Sequence, residues 1–265
     1  MRILITNDDG IYSRGVQTLV GELSKAAELY LIAPDRERSG TGHSITVFDP
    51  IRVIEKSFPG VKQAWVINGT PVDCVKIALA RLIEEKIDLV ISGINHGYNL
   101  GNDVLYSGTV SAAAEAVMMG CPSLAVSLGW ERSDGDFDFA ARLTVQLVNS
   151  LMHWGIDPRT LVNINIPAVE KSQIKGIRVC KLGLRNYGNM FEERHDPRGN
   201  TYYWMGGNIL QEEQDTDSDV YAVEHNYISV TPISLDLTNY ALLDQYRHLA
   251  SNFQKRNYPE LKISE

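Results

Sequence analysis

Short apolar runs alternate with segments of helical periodicity from the start of the chain to about residue 170. Arg2–Thr6 is an almost continuous apolar run, whereas Pro71–Ile83 begins with proline and spaces its apolar residues three and four positions apart. This alternation predicts an α/β fold with a mostly parallel sheet and crossover helices. The predicted strands are Arg2–Thr6, Leu29–Ala33, Ile51–Glu55, Ala64–Ile67, Asp88–Ser92, Ser123–Ser127 and Leu161–Ile166. The predicted helices are Tyr12–Ala27, Pro71–Ile83, Val110–Met119 and Phe137–Trp154.

The pattern changes after Pro167, where strand-like segments follow one another without helices between them. Loops rich in Gly, Asn and Asp separate these segments, which predicts hairpins or an extended β arm. The strands predicted here are Gly176–Leu182, Thr201–Met205, Val220–Glu224 and Tyr227–Thr231, and Asn239–Gln254 is predicted to be a closing helix. We therefore expect a single α/β domain over residues 1–265, with a core of residues 1–170 and a β-rich extension of residues 171–265.

Composition and charge narrow the class of protein. The chain has 44% hydrophobic and 22% charged residues, close to the average of soluble globular proteins. Its net charge of −8 argues against binding of long nucleic acid, which needs a basic surface. The N-terminal apolar run is too short for a signal peptide, and no apolar stretch is long enough for a membrane helix. Three widely spaced cysteines show no pairing pattern, so we expect buried thiols and a cytoplasmic location.

Small polar residues and carboxylates follow four of the predicted strands. In an open parallel sheet, ligands bind outside the carboxyl ends of the strands, so these residues are expected to meet at one edge. The strand ends lead into Asn7–Gly10, a Gly-rich segment at Ser39–Ser44, Asn68–Thr70, and a long loop at Gly93–Thr109. This convergence is the strongest indication of a functional site.

The adjacent carboxylates of Asp8 and Asp9 form the anionic centre of this edge. Two neighbouring carboxylates at a strand end repel each other and are costly to bury unpaired, so they call for a cation. A hard divalent cation suits a set of Asp, Asp, Ser and Asn oxygens. The alternative is that one of the two carboxylates caps the helix that begins near Ser13.

The segment Ser92–Thr109 has glycine at every fourth position from Gly93 to Gly101, which suggests a backbone shaped around a ligand. Ser107, Gly108 and Thr109 then begin a helix of small residues. Free backbone N–H groups and two hydroxyls at a helix start can bind a phosphoryl group. Ordinary helix capping by Ser107 or Thr109 is compatible with the same residues.

Three other features of the sequence bear on the possible chemistry. His43 and His96 lie in the loops of this edge, either as acid, base or transition-state donors or as ordinary surface groups. The acidic stretch Asp215–Asp219 resembles the start of a calcium loop but lacks its glycine and glutamate, so we expect a solvated loop. No Gly-x-Ser-x-Gly elbow supports a nucleophilic triad.

The motifs taken together resemble the SurE (survival protein) family over nearly the whole chain. The motifs that carry the resemblance are Asn7-Asp8-Asp9-Gly10, Ala33-Pro34 with Ser39-Gly40, Asn68-Gly69-Thr70-Pro71, Ser92-Gly93-Ile94-Asn95 running to Tyr106-Ser107-Gly108-Thr109, and Ser229-Val230-Thr231-Pro232. The resemblance implies a Rossmann-like body with a β-hairpin and a C-terminal arm that are exchanged between subunits of a homodimer or homotetramer.

The resemblance also implies an activity and a set of site residues. The expected activity is that of a Mg²⁺- or Mn²⁺-dependent phosphatase acting on nucleoside 5′-monophosphates, with 3′-monophosphates and short polyphosphate as further substrates. The implied metal ligands are Asp8, Asp9, Ser39 and Asn95, and the implied phosphate or substrate residues are Asn68, Asn99, Ser107, Gly108 and Thr109. In this hypothesis, Asp8 or Asp9 is the general base.

Two other functions are compatible with the same site residues. The first is a nucleotide-binding or regulatory module without turnover, and the second is a phosphatase whose substrate is polyphosphate or a sugar phosphate. Release of phosphate from AMP in the presence of metal would distinguish an enzyme from a binding module, and a panel of substrates would separate the two phosphatases.

Overall fold

A nine-stranded sheet forms the body of the protein, for which a computed structural model describes residues 1–130, 134–210 and 213–258. Its order is β3-β4-β2-β1-β5-β6-β7-β13-β8. The strands are β1 Arg2–Thr6, β2 Glu28–Pro34, β3 Val53–Lys56, β4 Gln63–Ile67, β5 Leu89–His96, β6 Ser123–Leu128, β7 Leu161–Ile166, β8 Gly176–Val179, β9 Tyr187–Gly188, β10 Phe191–His195, β11 Thr201–Met205, β12 Asn208–Ile209 and β13 Tyr227–Ile233. The helices are α1 Arg14–Leu23, α2 Pro71–Ile77, α3 Gly108–Met118, α4 Asp134–Trp154, α5 Asp219–Glu224 and α6 Leu243–Asn257.

The alternation of side chains along β1 shows how the sheet divides the core into two layers. Ile3 and Ile5 pack into one apolar cluster with residues of α1 and α4, whereas Leu4 packs into the other with residues of α2 and α3. Successive side chains of a strand point to opposite faces, so an apolar run buried on both faces is what a central parallel strand requires. The mostly parallel α/β fold is confirmed.

The predicted elements of the first 170 residues are all present, with shifted ends. The predicted helix Pro71–Ile83 is divided, because α2 ends at Ile77 and a π-helical turn, Ala78–Leu82, follows it. The Thr70 side chain accepts a hydrogen bond from the Asp73 N–H, and the Asp73 side chain accepts one from the Thr70 N–H. This capping box explains why the helix begins at Pro71. The strand predicted at Asp88–Ser92 continues as β5 to His96 and carries Asn95 to the carboxyl edge.

The prediction of a strand at Val220–Glu224 is wrong, because this segment is helix α5. The Ser218 hydroxyl accepts a hydrogen bond from the Tyr221 N–H, which caps the helix. Val220 and Val223 are both buried against Leu100, and a spacing of three residues puts them on one side of a helix. In a strand the same two side chains would point to opposite faces.

The predicted strand Tyr227–Thr231 is present and needs no pairing strand from another subunit. This segment is part of β13, which pairs antiparallel with β7 on one edge and parallel with β8 on the other. Both of its hydrogen-bonding edges are therefore filled within the chain. The sheet consequently extends beyond residue 170 and includes two strands of the predicted β-rich extension.

The predicted hairpin is present as β10 and β11, which form a separate two-stranded antiparallel sheet. Every residue of both strands is exposed, including the aromatic side chains of Phe191, Tyr203 and Trp204. The chain divides into two compact units at Ile233, and α6 belongs to the second, Ser234–Glu265. None of the helices in the described ranges is long and apolar enough to span a membrane.

Candidate metal and phosphate site

A cavity of about 890 Å³ opens at the carboxyl edge of the parallel strands. Its walls come from the end of β1, the loop that follows β2, and the long loop between β5 and α3. All four predicted metal ligands, Asp8, Asp9, Ser39 and Asn95, line this one cavity. Three of the four predicted strand-end segments therefore line one cavity, whereas no residue of Asn68–Thr70 belongs to its lining.

Asp8 is the most deeply placed of these ligands, with only 4% of its surface exposed. Its Oδ1 atom accepts a hydrogen bond of 2.5 Å from the Thr109 hydroxyl. Burial raises the pKa of the Asp8 carboxyl, the Thr109 hydrogen bond opposes that rise, and the negative charge of nearby Glu37 adds to it. A buried carboxylate with a second carboxylate at the next residue is an environment that a cation would stabilise.

The other three ligands present oxygen atoms of different kinds. The exposed Ser39 hydroxyl donates to Glu37 Oε1 at 2.8 Å. The Asn95 amide nitrogen donates to Gly97 O at 2.8 Å, a bond that leaves the amide oxygen available as a ligand. Among the described residues, no three His, Cys, Asp or Glu side chains cluster as a metal site. The set that fits is therefore an oxygen-rich one with two carboxylates, as hard divalent cations prefer.

The start of α3 lies directly beside Asp8. A Cβ atom on Gly108 would come within 2.8 Å of Asp8 Oδ2, so glycine at this position allows the carboxylate to approach the first turn of the helix. The Ser107 hydroxyl accepts from the Val110 N–H at 3.1 Å as the helix cap and also lines the cavity. The α3 start thus places its first turn beside Asp8, where a hydrogen bond from the Thr109 N–H opposes the rise in the pKa of that carboxyl.

The remaining predicted phosphate residues do not all face the cavity. Asn99 lines it, although its amide nitrogen donates to Ser127 Oγ at 2.8 Å. Thr109 is fully buried, and its hydroxyl is used on Asp8 instead of pointing into the cavity. Asn68 accepts from the Arg52 N–H at 2.8 Å and donates to Pro50 O, so its side chain is turned towards β3 and away from the cavity.

The known proteins to which this chain is similar share one family name. The family model described as "Survival protein SurE" matches residues 3–189. The chain is 64% identical to a 5′-nucleotidase SurE of Syntrophomonas wolfei over 96% of both chains, and 49% identical to one of Heliobacterium modesticaldum over 92% of this chain and 90% of that one. A solved SurE protein from Aquifex aeolicus superposes with a TM-score of 0.81 at 38% identity, covering 94% of this chain and all of that one.

The chain belongs to the SurE family.

Within this SurE-family chain, Asp219 is a residue whose role the sequence did not reveal. It was expected in a solvated loop, yet it is fully buried, whereas Asp215 and Asp217 of the same stretch pair with Lys181 at the surface. The Asp219 carboxylate accepts hydrogen bonds of 2.8–2.9 Å from the N–H groups of Gly101, Gly183 and Val220. It thereby fastens the long loop that follows β5 to the segment after β8.

The sequence does contain a signal for this placement. Ser218 followed by an acidic residue and then by Val220 and Val223 is the pattern of a capped helix start. Burial raises the pKa of the Asp219 carboxyl, and its hydrogen bonds from backbone N–H groups act in the opposite direction. The three donors satisfy the hydrogen-bonding capacity of the buried carboxyl.

Glu115 of α3 is a second buried carboxylate that connects parts of the SurE-family site. This side chain is almost completely buried, and it bonds to His43 Nε2 at 3.0 Å and to the Lys76 ammonium group. His43 was considered as an acid or base, but it does not line the cavity. Its contact with Glu115 instead ties the irregular loop that carries Ser39 to α3. His96, the other candidate, does line the cavity.

Proposed function

We propose that this chain is a divalent-metal-dependent 5′-nucleotidase, which hydrolyses nucleoside 5′-monophosphates to nucleoside and phosphate. The observation that carries the proposal is the placement of Asp8 and Asp9 in one cavity with Ser39, Asn95 and the capped start of α3. The relatives named 5′-nucleotidase SurE, at up to 64% identity over nearly the full length, support the choice of substrate.

Asp8, Asp9, Ser39 and Asn95 are the residues that would hold one Mg²⁺ or Mn²⁺ ion per subunit. The oxygen-rich donor set and the burial of Asp8 support this assignment. When bound, such a cation polarises a phosphoryl oxygen and lowers the pKa of a water molecule. Thr109 keeps the Asp8 carboxylate in one orientation through its hydrogen bond.

The substrate's phosphoryl group is proposed to lie at the start of α3. Its equatorial oxygens accept hydrogen bonds from the Gly108 N–H and the Ser107 hydroxyl, because the N–H groups of Thr109 and Val110 are bonded to Asp8 and to Ser107 Oγ. Asp9 or Asp8 orients the attacking water and accepts its proton, while the helix start stabilises the charge that develops on the phosphoryl oxygens. Asn99 contributes to the wall of the cavity, whereas Asn68 has no part in this proposal, because its side chain bonds to Arg52 and Pro50.

The proposal includes finer expectations about substrates, location and assembly. Nucleoside 3′-monophosphates and short polyphosphate are further substrates, and the cytoplasm is the location, in keeping with three cysteines that are free and buried. A homodimer or homotetramer is expected, because β10–β11 and α6 each expose large apolar side chains, such as Trp204 and Phe253. Exposed apolar groups of this size are typical of protein–protein interfaces.

Phosphate release from AMP by the purified, chelator-treated protein tests the function. We expect no release until Mn²⁺ or Mg²⁺ is added, and restored release with either ion. Asp49→Asn is a matched control for substitutions of Asp9, because Asp49 is exposed and lies outside the cavity. Full hydrolysis with metal absent by elemental analysis would contradict the metal dependence. Nucleotide binding without release under any metal would indicate a binding module.

A further inference from the structure

The Trp130 side chain is an aromatic surface at the wall of the cavity that the proposed chemistry does not use. It lies just after β6, lines the cavity, and is 72% exposed. Tryptophan is usually highly buried, so an indole ring that is left open beside a ligand cavity is informative. Trp154, the other strongly exposed tryptophan near a helix end, lies outside the cavity.

The indole ring of Trp130 is held in place by its neighbours. His96 meets it edge to face, with ring centroids 4.4 Å apart and planes at 70°. His96 also contacts the buried Phe137 ring at 6.2 Å, so it is fixed from a second side. Hydrogen bonds from the Gly97 N–H to Leu128 O and from the Gly129 N–H to Ile166 O hold the backbone on both sides of this pair.

The cavity is too large and too apolar away from the carboxylates to serve a phosphoryl group alone. At about 890 Å³ it falls within the range of roughly 300–1,000 Å³ typical of small-molecule pockets. Part of the wall is apolar and includes Leu100, Val220 and Val223, which pack together in one cluster. This composition suits an uncharged organic group attached to the phosphate.

The charged side chains of the cavity wall also favour an uncharged group attached to the phosphate. Arg185 is the single Lys or Arg among the described lining residues, and Asp103 neutralises it through a 2.8 Å contact in which both side chains are mostly buried. The Tyr187 hydroxyl donates to the same Asp103 carboxylate at 2.5 Å. The cavity therefore has no unpaired cationic side chain on the described residues that could receive a second phosphate. It favours a monophosphate whose remaining part is neutral.

We propose that Trp130 stacks on the nucleobase of the substrate and gives the enzyme its preference for nucleotides over phosphate monoesters without a base. This inference rests on the proposed function, since it concerns the organic part of the same substrate. A nucleobase presents a π-face to the indole ring whatever its identity, so the platform selects for the presence of a base and tolerates different bases. Short polyphosphate, which has no base, is then the poorer substrate.

A pair of substrates, AMP and ribose 5-phosphate, tests the role of Trp130, because ribose 5-phosphate carries an anomeric hydroxyl where AMP carries the base. We expect Trp130→Ala to raise the KM for AMP about tenfold, as loss of one base–aromatic stack would, with kcat little changed. The KM for ribose 5-phosphate should stay within about twofold, since the variant removes no contact to it. Trp130→Phe, which keeps an aromatic face, should recover most of the affinity for AMP. Trp154→Ala should behave as the parent protein does.

Binding provides a readout that is independent of turnover. AMP should quench tryptophan fluorescence in the parent protein and in Trp154→Phe, and much less in Trp130→Phe. Three results would each overturn the inference while leaving the phosphatase assignment intact. In the first, Trp130→Ala raises the KM for AMP and for ribose 5-phosphate equally. In the others, Trp130→Phe fails to restore the affinity for AMP, or the parent protein shows no selectivity for AMP. A parent protein that binds AMP with quenching at Trp130 but hydrolyses neither substrate would contradict the proposed function and support the inference.

Discussion

Replacement of Thr109 by valine should weaken both the fold and the metal site, because this hydroxyl serves Asp8. The substitution removes one oxygen at nearly constant volume from a fully buried position 2.5 Å from Asp8 Oδ1. A hydrogen bond to a charged group contributes about 1.5–3 kcal/mol to the free energy of unfolding. For a chain of this length, that loss corresponds to a fall of roughly 3–12 °C in the Tm of the metal-free protein.

The cost of Thr109→Val should depend on pH in a defined direction. The hydrogen bond lowers the pKa of Asp8 in the folded state against the rise caused by burial, so its loss raises that pKa further. A carboxyl whose folded-state pKa lies above its unfolded value destabilises the fold as pH rises and the buried group must ionise. The difference in unfolding free energy between parent and variant should therefore be smallest in acid and should grow as pH rises through the folded-state pKa of Asp8.

Thermal unfolding in chelator at several pH values and calorimetric titration with Mn²⁺ measure the two effects. Loss of a group that orients a metal ligand typically costs about tenfold to a hundredfold in metal affinity. Thr109→Ser keeps the hydroxyl and serves as the control, with metal affinity close to that of the parent protein. A valine variant that binds Mn²⁺ normally and shows only a higher KM would refute this reasoning and would assign Thr109 to the phosphate.

Three further predictions address the carboxylates and the C-terminal unit. Asp9→Asn should weaken Mn²⁺ binding and reduce turnover by orders of magnitude. The Tm of the metal-free protein should stay the same or rise, because the repulsion between the two carboxylates is relieved. Unchanged Mn²⁺ affinity in calorimetric titration would contradict this prediction. Asp219→Asn should lower the free energy of unfolding by at least about 1–3 kcal/mol in denaturant titrations, since its three N–H partners cannot all find an acceptor, whereas the surface variant Asp217→Asn should change little. The full chain should scatter light as a dimer or larger and a chain ending at Ile233 should be smaller or insoluble; a monodisperse full-length monomer would refute the proposed assembly.

The sequence by itself determined the strands and helices of the first 170 residues and the residue types that lie at the site edge. Apolar runs such as Arg2–Thr6 can be satisfied only by burial on both faces of a sheet, so they indicate parallel strands without further information. The cap and proline at Thr70–Pro71 fix a helix start through bonds within four residues. The segments that carry Asp8, Asp9, Ser39 and Asn95 could be grouped because parallel strands deliver their carboxyl ends to one edge, whereas the choice of these four residues as ligands came from the family resemblance.

Tertiary structure decided which way individual side chains point and where the late strands pair. The Thr109 hydroxyl and Asp8 are 101 residues apart, and Asp219 meets Gly101 across 118 residues, so no local pattern could assign these bonds. Val220–Glu224 became a helix because Leu100 receives two of its side chains on one side. The partners of β13 likewise lie far from it in the chain. Local periodicity in the sequence indicates which face of a strand or helix is buried. Which other element that face packs against depends on contacts that exist only once the chain has folded.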